Sequence, residues 1–179
     1  GILKGMYCLG SAPSARVRLL GSGAILPEVR RAAEVLAESY DISSEVWSVT
    51  SYKALHSDAV SVERSLRQRA GDALDRKAHI VECLGDSEAP VIAASDYVRA
   101  VAESVGRWLP KHSVILGTDG FGRSDGRQAL RRFFEVDSAN IVYAALWALY
   151  RAGTLDEDVV RKAVGELNVD VSSPDPVTR

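Results

Sequence analysis

The chain has 179 residues, 46% apolar and 26% charged, a length and composition at which one hydrophobic core in one globular domain is the usual outcome. Its formal net charge of −2 comes from interspersed acidic and basic residues, so no basic stripe offers itself to a nucleic-acid backbone. The longest apolar run, Ile141 to Tyr150, falls well short of the ~18 residues of a membrane span. The two cysteines, Cys8 and Cys83, lie far apart and outside any C-x-x-C spacing, which indicates neither a disulfide framework nor a zinc site and fits a reducing cytoplasm. The chain opens at Gly1 with no initiator Met and no charged-then-apolar leader, and it reads as a piece of something longer.

Taken in order, strands alternate with helices. Arg16 to Gly21 is a short apolar run ending in Gly21-Ser22-Gly23, a strand followed by a tight turn. From Pro27 to Tyr40 the period changes: Val29, Ala33, Leu36 and Tyr40 share one face, charged residues cover the others, and Pro27 suits the first helical turn. Ser44 to Thr50 returns to period two, with Val46, Ser48 and Thr50 on one side and Glu45, Trp47 and Val49 on the other. Strand, helix and strand in succession predict a βαβ unit and an α/β fold.

Val60, Val62 and Leu66 then form a weak helical stripe that Gly71 and Asp72 are expected to break, and His79 to Leu84 predicts one or two further helical turns. Pro90 to Ser95 is an almost wholly apolar run of the kind buried on both faces of a parallel sheet, and should be a central strand. Asp96 can cap the next helix, carried by Val98, Val101, Ala102 and Val105 until Pro110. Ser113 to Thr118 is the last strand. Ser124 or Asp125 is placed to cap a helix bearing Leu130, Phe133 and Phe134, and Asp137 to cap an apolar helix from Ala139 to Arg151, ended by Gly153. Thr154 to Glu157 matches a capping box opening a final helix to about Leu167. This gives a domain over residues 1–167 and a tail over 168–179, expected as a loop or frayed end.

Few residues invite chemistry. Gly21-Ser22-Gly23 before a helix is half of a dinucleotide fingerprint, but Leu26 stands at the third glycine and no acidic residue clearly ends the second strand, so a tight turn is the better reading. His56, His79 and His112 include no i, i+4 histidine pair, which makes a metal site improbable. Cys83 in an apolar run and Cys8 in an expected strand read as core thiols, and no G-x-S-x-G elbow occurs. The remaining constellation is Thr118 to Asp125 (TDGFGRSD), a glycine-hinged loop at the carboxyl end of a strand, where open α/β sheets place ligands. It can be a plain turn, with Asp119 bonding backbone amides and Ser124 capping the helix. It can also be an inter-domain contact, with Gly120 and Gly122 at positive φ presenting Phe121 and Arg123 outward and Asp119 paired with its own backbone or with Arg123.

Val46 to Leu55 (VWSVTSYKAL), Pro90 to Val101 (PVIAASDYVRAV) and Val114 to Asp137 (VILGTDGFGRSDGRQALRRFFEVD), with Lys4 to Leu9 (KGMYCL) leading, resemble the C-terminal domain of homodimeric-type pyruvate dehydrogenases within the transketolase-like family of thiamine-diphosphate enzymes. The likeness covers nearly the whole chain, is strongest at Gly117 to Asp125, and is looser over Ser57 to Lys77. It implies a three-layer α/β/α fold around a five-stranded, mostly parallel mixed sheet whose first strand, around Met6 to Leu9, runs antiparallel. It also implies a cytoplasmic enzyme that decarboxylates pyruvate and acetylates a lipoyl group, with thiamine diphosphate and magnesium held by preceding domains whose motifs this chain lacks. On that reading no residue here is catalytic, cofactor-binding or metal-binding, and this stretch alone is inactive. Its expected partners are the other domains of the enzyme, a homodimer partner and the lipoyl acyltransferase core of the complex, with no nucleic acid and no membrane. Asp119, Phe121, Arg123, Ser124 and Asp125 are the candidates for contact with another domain. The rivals are an autonomous α/β ligand-binding or regulatory module, since fold alone does not determine function, and the same domain of another transketolase-family enzyme.

Overall fold

The computed structural model describes residues 1–12, 14–68 and 76–178. Its frame is a five-stranded sheet: β1 Met6–Gly10, β2 Val17–Ser22, β3 Ser44–Val49, β4 Val91–Ala94 and β5 Val114–Leu116. They lie in the order β1-β3-β2-β4-β5, with β3, β2, β4 and β5 parallel and β1 antiparallel on the edge beside β3. The orientation implied by the family resemblance is therefore present. Parallel neighbours require helical crossovers, which α1 Leu26–Tyr40 supplies between β2 and β3. After β3 the chain returns to the other side of β2 to lay down β4, so the connections diverge between β2 and β4.

Every residue of β2 and of β4 is buried, as short apolar runs covered on both faces must be. The period-two alternation sorts them into two cores. Val17, Leu19, Ile92 and Ala94 pack with α1, with α6 Ser138–Arg151 and with α7 Glu157–Glu166. Leu20, Trp47, Val49, Val91 and Ala93 face α2 Tyr52–Gln68, α3 His79–Leu84 and α4 Arg99–Glu103. The result is the expected α/β/α sandwich. Fully burying one side chain such as Leu36 in the first core or Leu55 in the second is worth roughly 1.5–3 kcal/mol, so both layers are held chiefly by this burial. α1 can sit close to the sheet because Gly21 has no Cβ: one built there would lie 2.7 Å from Leu26 Cδ1 and 3.0 Å from Leu26 Cα. The residue that spoils the dinucleotide fingerprint is the one packed into the space the glycine leaves.

Several local expectations are corrected. α2 begins at Tyr52, earlier than the weak stripe suggested, and its buried face is Tyr52, Leu55, Ala59 and Val62, while Val60 and Leu66 are exposed. The expected break at Gly71 and Asp72 lies outside the described residues. The helix after β4 is one short turn, Arg99–Glu103, followed by a 3-10 turn at Gly106–Trp108, and Asp96 does not cap it. Val98 and Val101, expected on its buried stripe, are exposed. α5 Arg127–Phe133 starts after Gly126, without a side-chain cap from Ser124 or Asp125. The capping box at Thr154 does not form, because Thr154 Oγ1 donates to the Leu149 carbonyl and closes the end of α6 instead. Asp137 does cap α6, accepting from Asn140 N at 3.0 Å.

Candidate functional site

The carboxyl ends of β2, β4 and β5 converge on the loop from Gly117 to Gly126, which is built from long-range contacts. Thr118 N donates to the Tyr97 carbonyl (2.9 Å) and Thr118 Oγ1 to the Asp96 carbonyl (2.8 Å), pinning the loop to the segment after β4. Asp119 Oδ1 accepts from Arg99 N at 3.1 Å, and its Oδ2 forms an ion pair with Arg99 Nε. This bonding raises the Arg99 guanidinium above its usual value, Asp119 being the main cause. The alternatives entertained for Asp119, its own loop backbone or Arg123, are both replaced by Arg99. Asp175 Oδ2 stands 3.8 Å from Arg99 Nη2, so the tail joins the same cluster. Gly120 adopts φ +105°, and a Cβ there would lie 2.8 Å from the Pro176 carbonyl oxygen. The tail thus packs on the loop through a 3-10 turn at Pro176–Thr178 and does not fray away from it. Among the two hinge glycines, Gly120 has the positive φ and Gly122 does not.

The other sequence candidates lie on the outer surface of this loop. Phe121 is 84% exposed. The Arg123 guanidinium stacks over the Phe133 ring at 4.3 Å, a cation–π contact worth roughly 0.5–1 kcal/mol at an exposed site. Ser124 and Asp125 are exposed, and Asp125 Oδ1 accepts from Gly126 N at 2.6 Å, holding the turn before α5. Of the five candidates, then, Asp119 is tied inward and Phe121, Arg123, Ser124 and Asp125 remain on the surface.

Next to the loop, the Gly21-Ser22-Gly23 turn is closed by the chain's own carboxylate. Asp96 Oδ2 accepts from Ala24 N at 3.2 Å, in the 3-10 turn Gly23–Ile25 that leads into α1. Gly23 has φ +57°, and a Cβ on it would stand 2.3 Å from Asp96 Oδ1. Helix N-termini favour anions, and here Asp96 supplies one, so a phosphate would meet a negative charge in the place it needs. Beside this plug lies a cleft of about 350 Å³. Ile25, Leu130, Phe134 and Val136 give it an apolar lining, and Arg123 and Arg127 stand at it. Arg131 also lines it, but is tied to Glu28 Oε1 (2.7 Å) and the Ala24 carbonyl (3.0 Å). Sequence reasoning missed Asp96, Arg99 and Arg127 as members of this site, because the partners of Asp96 and Arg99 lie on other elements and no local spacing places Arg127 at the cleft.

A second grouping was also missed, though its signal was present. His79 and Cys83 sit at i, i+4 on α3, with Cys83 Sγ 3.4 Å from His79 Nε2 and Glu82 Oε2 3.8 Å from His79 Nδ1. It resembles a nucleophile with its base, but the geometry opposes that role. His79 Nε2 lies 3.0 Å from the Met6 carbonyl, which can only accept, so Nε2 carries the proton, and the nitrogen left to take one, Nδ1, stands farther from the thiol, 3.8 Å from Cys83 Sγ. Burial and Glu82 both push the Cys83 thiol up, away from the thiolate that attacks. Among the described residues no three or more His, Cys, Asp or Glu side chains are grouped to hold a metal ion, and no helix is long and apolar enough to cross a membrane.

A model of the transketolase-like TK C-terminal domain matches residues 5–137. The chain belongs to that family. Beyond this domain family, the chain is similar to the pyruvate dehydrogenase E1 component of Pseudomonas aeruginosa, 43% identical over 99% of the chain and 20% of the relative. Against the protein of the same description from Escherichia coli K12 it is 41% identical over 98% of the chain and 20% of the relative. The chain thus spans about a fifth of the length of the curated relatives it matches. The transketolase-like domain fold recurs in a solved transketolase from Leishmania mexicana, with a TM-score of 0.60 at 18% identity over 84% of this chain and 19% of that one. A transketolase from Campylobacter jejuni gives a TM-score of 0.54 at 18% identity over 79% of this chain and 18% of that one. At such identities the likeness concerns the fold.

Proposed function

We propose that this chain is the C-terminal domain of a pyruvate-decarboxylating, thiamine-diphosphate-dependent enzyme and serves it as an assembly domain. The observation that carries this reading is the 43% identity to a pyruvate dehydrogenase E1 component, maintained over 99% of the chain. The whole enzyme would convert pyruvate and a lipoyl-protein to an acetyl-dihydrolipoyl-protein and carbon dioxide, in the cytoplasm, as a homodimer docked on a lipoyl acyltransferase core. Thiamine diphosphate and magnesium would supply the decarboxylation chemistry from the remaining four fifths of such a protein. The described residues of this chain do not fit that cofactor: Asp96 fills the Gly21-Ser22-Gly23 turn before α1, and no metal-ligating side chains converge. No catalytic step is assigned to them.

The assembly role rests on surface chemistry. Phe121 at 84% exposure, Tyr97 at 59% and Val98 at 47% belong to the loops at the carboxyl ends of β5 and β4. Large apolar side chains in water are costly on a surface that meets nothing, and aromatic and arginine residues are enriched where proteins touch. Phe121, Arg123, Ser124 and Asp125 would meet another domain or subunit, while Asp119 braces the loop from behind through Arg99. The test is calorimetric titration of the 179-residue chain with thiamine diphosphate and magnesium, beside steady-state assay of the enzyme that carries it. No saturable heat from the chain and pyruvate-dependent acetylation of lipoyl-protein by the enzyme are expected. Saturable, magnesium-dependent cofactor binding to the chain alone would overturn the reading.

A further inference from the structure

We infer that the 117–127 face receives an acidic segment from elsewhere in the same enzyme. One apolar side chain of that segment would seat in the cleft beside α5, and its carboxylates would lie on Arg123 and Arg127. This rests on the reading of the chain as one domain of a longer enzyme, and it specifies the chemistry of what that domain meets.

The first argument is charge. Arginines around the carboxyl end of the sheet are otherwise neutralised within the chain: Arg99 by Asp119, Arg131 by Glu28 at 2.7 Å, and Arg132 by Asp137 at 3.0 Å. Arg123 and Arg127 have no acidic partner among the described residues. The Asp96 carboxylate, which also lines the cleft, already holds the Ala24 N–H in the 3-10 turn before α1. Two uncompensated guanidiniums on one rim favour carboxylates, which they bind in a two-pronged geometry. Arg123 is in addition held against the Phe133 ring, so less side-chain entropy remains to be lost when a partner arrives.

The second argument is the apolar lining and its surroundings. Ile25 and Val136 are buried beneath the cleft, and Leu130 and Phe134 line it half-buried, so an incoming apolar side chain finds carbon on its walls. A small organic anion could fill such a cleft, but it would leave Phe121 and Tyr97 in water. A protein segment crossing the face covers them as well. An apolar centre flanked by charge pairs is the usual anatomy of a protein contact.

The experiment compares hydrogen exchange of the 117–127 loop in the full enzyme and in the 179-residue chain, across a salt series and in the Arg123→Gln/Arg127→Gln variant. At about 0.05 M NaCl the loop in the full enzyme should exchange roughly tenfold more slowly than in the chain. That protection should shrink as salt rises to about 0.5 M, since the contact is ionic. The double variant should lose the protection at low salt, and Arg123→Lys/Arg127→Lys should retain part of it. The wild-type salt series stands on its own should the glutamine variant fail to fold. Protection that ignores both salt and the arginines would overturn the acidic segment while leaving the interface in place. A loop exchanging equally fast in the enzyme and in the chain would remove the interface itself.

Discussion

Gly23 and Asp96 form a pair whose energetics can be worked out from the structure. Alanine at Gly23 must hold φ +57°, a left-handed conformation that costs an L-residue about 1–2 kcal/mol. Its Cβ would also sit 2.3 Å from Asp96 Oδ1, so the carboxylate must swing away and release the Ala24 N–H. Losing a bond of this kind at a helix start costs about 1 kcal/mol. Gly23→Ala should therefore destabilise the domain by roughly 2–3 kcal/mol. Asp96→Ala alone should cost about 1 kcal/mol, the bond without the strain. In the double variant the same bond is lost only once and the clash is gone, so the total should again be roughly 2–3 kcal/mol, about 1 short of additivity. Urea denaturation of the chain and its three variants reads this directly. In melting experiments each kcal/mol should appear as about 2–4 °C. Additive effects within about 0.3 kcal/mol would refute the shared bond, and a Gly23→Ala loss below about 1 kcal/mol would refute the left-handed constraint.

Two further outcomes follow from titratable groups. Tyr40 is pushed up from its usual value to about 12 by burial and by its hydrogen bond to Glu166. A raised phenol favours the native state while protonated, so its contribution is fully present below about pH 10 and is lost between there and about pH 12. Tyr40→Phe should flatten that part of the stability profile, and an unchanged alkaline slope would count against the assignment. Cys8 is exposed on the edge strand, whereas Cys83 is half-buried against His79, and burial raises both thiols. A thiol-exchange reagent such as a disulfide dye should label one cysteine quickly and the other slowly. Cys8→Ser should abolish the fast phase, and two equal rates would show that burial does not protect Cys83.

The two periodicities carried most of the architecture. Alternation in β3 already separated Val46 from Trp47 and Val49, and the 3.6-residue stripe of α1 already placed Val29 and Leu36 inward, because each pattern reports which side of a single element faces carbon. Asp137 could be recognised as a cap because its acceptor and the Asn140 N–H lie three residues apart, a spacing that the start of any helix provides. The direction of β1 could not be read the same way, since period two is identical in either direction and only pairing with β3 decides it; the family resemblance supplied it. Nor could the partners of the carboxylates be read. Asp96 had its following helix within reach yet bonds Ala24, 72 residues away, and Asp119 passed over its own loop for Arg99, 20 residues away. Each carboxylate has several donors that would satisfy it about equally well, so local sequence leaves the choice open. The choice falls to the sheet, which brings the carboxyl ends of β2, β4 and β5 together and sets which donor is nearest once the chain has closed.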